Sequence, residues 1–243
     1  PLDSKDTSAS VFPLPSRPEP RPTTAPSTST AAPVQHTPGG EVYASVLDMI
    51  GHTPMLELSR MFPAGSRDNP GGCRVFAKME LLNPAQSIKD RIGLSMIEGA
   101  EKDGRLNPKG NPPPTIIEAT AGNTGLGLAL VAGQKGYRLK VVVPDKMSQE
   151  KIQHLRAMGA QVILARSDVQ KGHPEYYQDV AADLARRTPN SVYINQFSNQ
   201  DNTKAHYDTT GPEIWEQMSH DVDAFVSGVG SGGTLTGCGR FLR

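Results

Sequence analysis

Cysteine is nearly absent from the 243 residues. Only Cys73 and Cys238 occur, far apart and with no His or second Cys at ligand spacing. That argues against a disulfide scaffold and against a zinc site, and the two thiols read as buried or incidental ones of a reducing compartment. Charge of one sign is missing too. The 25 Lys and Arg balance the 25 Asp and Glu, so nothing favours nucleic acid or an anionic membrane as partner. No apolar run approaches the ~18 residues that cross a bilayer. Aromatic residues make up 5% and hydrophobic residues 36%, the balance of a soluble globular chain with one large domain or two small ones. The first residue is Pro1, not Met, and a helical pattern runs up to Arg243, so the sequence reads as part of a longer chain.

Composition shifts near residue 40. Residues 1–40 hold nine of the 21 prolines and twelve Ser or Thr, too little apolar surface to offset the entropy of ordering, so this tail is expected to be disordered. Arg17 and Arg21 suit an organelle transit peptide, but Asp3, Asp6 and Glu19 argue against one. Residues 16–22 could dock an SH3-like domain, although a plain linker is the commoner use of such composition. From Val42 onward strand and helix patterns alternate. Residues 73–79, 115–119, 139–143, 161–165, 192–195 and 224–227 read as strands. Residues 87–102, 125–135, 176–187 and 209–218 read as helices, as does the stretch between a Ser148 cap and a Gly159 stop. Ser87 followed by Asp90 has the spacing of a capping box. Continuous apolar strands alternating with helices predict an α/β fold, a parallel sheet covered on both faces. No internal repeat is evident.

Three short segments could carry chemistry. In 83–91 (NPAQSIKDR), Lys89 falls in the first turn of a helix, where the partial positive charge of the helix end disfavours its ammonium. A lysine of lowered pKa can attack a carbonyl and form a Schiff base, whereas a lone lysine is ordinarily a solvated surface residue. In 120–125 (TAGNTG), a turn after a strand opens a helix; its amides favour an anion, and Thr120, Thr124 and Asn123 add donors. An ordinary capped connection explains that segment about as well. In 228–234 (GVGSGGT), glycines let the backbone approach a phosphate, with Ser231 and Thr234 as hydroxyl donors. Gly228, Gly230 and Gly233 also satisfy G-x-G-x-x-G, but a dinucleotide site needs an acidic residue about 20 positions on, beyond Arg243. No Gly-Lys-Ser/Thr follows, so this is not a P-loop. A reactive lysine, a carboxylate turn and a phosphate turn are together what holds pyridoxal phosphate and an amino acid.

With 50–58 (IGHTPMLEL), 144–160 (PDKMSQEKIQHLRAMGA), 194–199 (INQFSN) and 205–215 (AHYDTTGPEIW), these segments resemble the fold-type II pyridoxal-phosphate enzymes, the family that contains cystathionine β-synthase and cysteine synthase. The likeness runs from about Ile50 to Arg243. It implies two three-layer αβα subdomains with mostly parallel sheets: a small substrate domain of residues 83–189, and a large cofactor domain of residues 41–82 and 190–243, incomplete at its C-terminal end. It implies that Lys89 joins the cofactor aldehyde. Asn123 would bond the ring hydroxyl, and Gly230, Ser231, Gly232, Gly233 and Thr234 would hold the phosphate. Thr120, Gly122, Thr124 and Gln196 would bind the substrate carboxylate.

The implied activity is β-replacement on serine or O-acetylserine, with homocysteine giving cystathionine or with sulfide giving cysteine. In it the Lys89 amine removes and returns the α-proton. The 144–160 stretch leans to cystathionine β-synthase, while 205–215 suits both. A homodimer in the cytoplasm is implied as well. The sequence departs from the family at two points. Ala121 replaces a usual Ser, losing one hydroxyl donor, and Gln86 replaces a usual Gly, so it is expected to crowd the pocket. Residues 1–40 lack the Cys that ligates haem in animal cystathionine β-synthases, so no haem is predicted. The family also continues past the glycine turn to a Ser or Thr at the pyridine nitrogen. A truncated, non-catalytic homologue acting by binding, a serine or threonine dehydratase, and a dinucleotide-dependent oxidoreductase are the competing readings.

Overall fold

A computed structural model describes residues 42–243; the expectations for residues 1–40 fall outside it. A capped 3-10 turn at Val46–Met49 leads into two short strands, β1 (Met55–Glu57) and β2 (Phe76–Lys78), which pair antiparallel. A second 3-10 turn at Glu80–Leu82 precedes α1 (Lys89–Lys102). Then follow β3 (Thr115–Ala119), α2 (Asn123–Lys135), β4 (Arg138–Pro144), α3 (Gln149–Ala157), β5 (Gln161–Ala165), α4 (Tyr177–Arg187) and β6 (Ser191–Tyr193). The chain closes with α5 (Gln200–Ala205), a π-helical turn at His206–Thr210, α6 (Gly211–Gln217) and α7 (Gly233–Leu242).

Strands β3 to β6 form one parallel sheet in the order β5-β4-β3-β6. The two-residue period of a strand sends neighbours to opposite faces. Ile116, Leu139, Val141 and Val143 therefore share a core with Ile92 and Met96 of α1, Leu128 of α2 and Leu155 of α3. Ile117, Ala119 and Val142 point the other way, onto Ala181, Val180 and Leu184 of α4. This is the α/β layering that the apolar strands predict. Gly136, with φ +77°, closes α2 in the left-handed conformation open to glycine, and the Ser148 side chain accepts from Lys151 N to start α3.

Chemistry at the crossing of α1 and α2 sets where Lys89 sits. A Cβ on Gly93 would lie 2.8 Å from Gly127 C, and one on Gly127 would lie 2.6 Å from Lys89 O. Only a glycine at each place lets the two backbones touch, and that contact carries the start of α1 against α2.

Several expectations need correction. Residues 73–79 shorten to β2, and its partner β1 escapes a sequence reading because it spans three residues, two of them exposed. The helix expected at 209–218 is the end of a longer helical run from Gln200; α5 is too polar to register as one, burying Asn202 and Ala205. Residues 224–227 form no ladder among the described residues, and Val226 is 73% exposed. An alternating pattern makes a strand only beside another strand's hydrogen-bonding edge. Strand β6 ladders with β3 and so belongs to the parallel sheet. Both cysteines are free, Cys238 buried and Cys73 exposed. Ser87 does not complete a capping box: its Oγ accepts from Lys89 N at 3.2 Å, and the Asp90 carboxylate accepts from Ala85 N at 2.6 Å.

One buried ionic cluster joins these parts. Arg91 in α1 donates to both oxygens of Glu80 at 2.7 and 2.8 Å and to both oxygens of Glu213 in α6 at 2.7 Å. Lys78 in β2 donates to Glu213 Oε2 at 2.7 Å. Burial opposes the charge on Glu213, but the hydrogen bonds from Arg91 and its cation prevail and hold that carboxyl at about 2. Removing one partner strands buried charge. Arg91→Met is expected to cost about 3–5 kcal/mol, seen as a lower midpoint in urea unfolding followed by circular dichroism.

Candidate active site

The sheet reverses its direction of growth at β3. The chain moves outward from β3 to β4 to β5, then returns to lay β6 on the other side of β3. Ligands of open α/β sheets bind beyond the carboxyl ends of the strands at such a reversal. The turn after β3 is 120–125, and the loop after β6 carries Gln196. Two segments far apart in sequence thus meet at one crevice, where Thr124 Oγ1 donates to Gln196 Oε1 at 2.7 Å.

The carboxylate turn is shaped from within. Thr120 Oγ1 accepts from Gly122 N at 3.1 Å, folding the chain back before α2 begins. Gly122 caps α2 with no side-chain hydrogen bond, so the first amides of a 13-residue helix are left for another acceptor. Asn123 and Ala121 are exposed, while Thr120, Thr124 and Gln196 are buried. Gln196 Nε2 reaches Ala119 O at 3.4 Å.

Glycines 230, 232 and 233 bring α7 to the same region. Gly232 has φ +83° and caps α7 without a side chain, and Cβ atoms at Gly228, Gly230 and Gly232 would meet nothing within 4 Å. An open backbone ending in uncapped helix amides fits an anion such as a phosphate ester. The G-x-G-x-x-G pattern lacks the preceding strand that a dinucleotide fingerprint requires.

Two buried side chains, neither singled out by sequence, tie this turn to the rest. Asn202 Nδ2 donates to Gln196 O at 2.8 Å and to Ser231 Oγ at 2.9 Å. His206 meets Thr210 Oγ1 through Nδ1 at 2.9 Å and Thr234 Oγ1 through Nε2 at 3.2 Å. Burial first, then the charges of Lys89 and Arg91, push His206 down to about 4, so it is neutral at pH 7. Local sequence carries one trace of it, since Thr210 lies one helical turn beyond His206.

Lys89 opens α1, as expected, and its charge is one of those that lower the pKa of His206. Burial lowers the pKa of Lys89 itself, the direction expected from the helix start, with loss of solvent as the cause. Asp90 next to it rises to about 6, chiefly by burial. Gln86 is exposed with φ +65°, a left-handed backbone that costs about 1–2 kcal/mol for a residue with a Cβ. Among the described residues no three His, Cys, Asp or Glu cluster to hold a metal, and no helix is long and apolar enough to cross a membrane.

Glu118 was also missed, although an acid inside an apolar strand (TIIEA) is the signal that could have found it. It is fully buried. Its Oε1 accepts from Gln196 N at 3.3 Å, and its Oε2 has no hydrogen-bond partner among the described residues. Burial raises it from 4.5 to about 8. The folded state then keeps a proton that the unfolded chain has released, so stability falls as pH rises from about 4.5 to about 8. Below 6.5 His206 contributes the opposite slope, and the window from pH 6.5 to 8 reports on Glu118. Glu118→Gln is expected to flatten the loss of urea stability between those two pH values.

A family model described as "Pyridoxal-phosphate dependent enzyme" matches residues 46–243. The chain is 41% identical over 203 residues to cystathionine beta-synthase of Apis mellifera, across 84% of this chain and 39% of that protein. It is 47% identical over 194 residues to cysteine synthase B of Escherichia coli strain K12, across 80% of this chain and 59% of that protein. The solved O-acetylserine dependent cystathionine beta-synthase from Helicobacter pylori superposes with a TM-score of 0.73 at 39% identity, covering 83% of this chain and 62% of its own. The chain thus spans about two-fifths of the first curated relative and three-fifths of the second.

Proposed function

We infer what this chain does from one premise: it belongs to the pyridoxal-phosphate dependent enzyme family. We propose that the protein exchanges the β-substituent of serine or O-acetylserine for a thiol, making cystathionine from homocysteine or cysteine from sulfide. What supports this reading is the hydrogen-bonded path from Thr124 through Gln196 and Asn202 to Ser231, which joins the 120–125 turn to the 228–234 turn. The relatives named above carry both activities in their names, and the proposal spans both.

When bound, pyridoxal phosphate supplies an electron sink that acidifies the α-carbon of an amino acid and lets its β-substituent leave. Its phosphate is assigned to Gly230, Ser231, Gly232, Gly233 and Thr234, and its ring hydroxyl to Asn123. The substrate carboxylate is assigned to the amides and hydroxyls of Thr120, Gly122 and Thr124 and to the amide of Gln196. Lys89, made less basic by burial, takes the proton from the α-carbon and later returns it. In the proposed division the substrate side lies on residues 83–189 and the cofactor side on 41–82 and 190–243. We take the working form to be a cytoplasmic homodimer.

Full chain supplied with pyridoxal phosphate, O-acetylserine or serine, and sulfide or homocysteine is expected to form cysteine or cystathionine. Lys89→Ala is expected to abolish turnover. Release of a keto acid and ammonia without thiol incorporation overturns the proposal in favour of a dehydratase. Ala121→Ser restores one hydroxyl to the carboxylate turn, a gain of about 1 kcal/mol, expected as a several-fold lower KM for the amino acid with kcat little changed.

A further inference from the structure

Asn202 occupies the middle of α5 and is 2% exposed. A buried amide so placed must satisfy its hydrogens on protein acceptors. Both go to loops: one to Gln196 O in the loop after β6, one to Ser231 Oγ in the turn before α7. Its oxygen faces Gly233, where any Cβ would overlap it. Asn202 therefore touches the glycine turn by bonding and by packing, while holding the main chain of the residue whose side chain receives Thr124.

The platform beneath Asn202 is rigid. Asn199 caps α5 by accepting from Asp201 N at 2.9 Å, and donates to Ile194 O at 3.0 Å, tying the helix start to the end of β6. Asp201 O accepts from Ser95 Oγ of α1 at 2.9 Å. Movement of either loop against the other must break a bond to Asn202 or drag α5 away from α1.

We propose that Asn202 is a positioning residue that couples the two halves of the site, so that occupancy of the glycine turn by a phosphate ester strengthens binding of an amino-acid carboxylate at the Gln196 side, and the reverse. This rests on the assignment of those turns to cofactor and substrate. Coupling of binding free energies is reciprocal. A change in the phosphate turn must then be felt as amino-acid affinity, and Asn202 must carry the effect.

A double-mutant cycle on the full chain loaded with pyridoxal phosphate tests it. The ligand is L-alanine, which has no β-leaving group, and its Kd is read from the change in cofactor absorbance. Ser231→Ala is expected to raise the Kd for L-alanine roughly fivefold. In an Asn202→Ala background the same change is expected to move it less than about twofold. Asn202→Ala alone is expected to raise both this Kd and the Kd for pyridoxal phosphate measured by equilibrium dialysis. Asn202→Ser, too short to span both loops, replaces it if the alanine variant does not fold. Equal effects of Ser231→Ala in the two backgrounds, or none in either, overturn the coupling. Failure of the unsubstituted chain to bind pyridoxal phosphate instead overturns the functional reading on which the coupling rests.

Discussion

The site depends on where the parallel sheet changes direction. With β4 on one side of β3 and β6 on the other, the order of growth reverses at β3, and the segments that leave β3 and β6 meet beyond the carboxyl edge of the sheet. Sheet topology makes Thr124 and Gln196 neighbours across 72 positions of sequence, and one hydrogen bond joins them. Every other element of the site takes its place relative to that pair. The α1–α2 contact at Gly93 and Gly127 brings Lys89 in from one side, and α5 brings the glycine turn in from the other through Asn202.

Buried polar groups divide into two kinds around this crevice. Away from it, Arg91, Glu80, Glu213 and Lys78 stay ionised because each is matched at short range by opposite charge. At the crevice itself, Glu118 and His206 lack such partners and are held neutral by burial. A phosphate and a carboxylate are both anions. A neutral Glu118 beneath Gln196 adds no repulsion, and the amides at the starts of α2 and α7 attract without a counter-ion. The segment 85–91 spans both settings, with Lys89 half-buried at the start of α1 and Arg91 locked into the ionic cluster.

Much of this was legible in sequence, for reasons that can be located. Strands β3 and β4 are apolar runs mostly buried on both faces, β5 is an apolar run at the sheet edge, and the bounds of all three were readable within a residue. The turns at 120–125 and 228–234 stand out because glycine and threonine cluster just before a helix starts. Pairing was not legible. Residues 224–227 have the pattern of a strand and no neighbour to bond, while β1 has a neighbour and no pattern. Asn202 and His206 were invisible because their partners, Gln196, Ser231 and Thr234, are brought to them by the fold, and α5 is polar enough to pass for a loop. The left-handed backbone of Gln86 was not legible either, because a sequence shows the size of a side chain but not the sign of its φ.

The central claim is that one amine, on Lys89, forms the covalent link to the aldehyde of pyridoxal phosphate. Full chain incubated with pyridoxal phosphate, reduced with borohydride and digested for peptide mapping, tests it most directly. The account predicts a stable pyridoxyl group on the peptide containing Lys89 and on no other. A label on a different lysine, or no label, would contradict it.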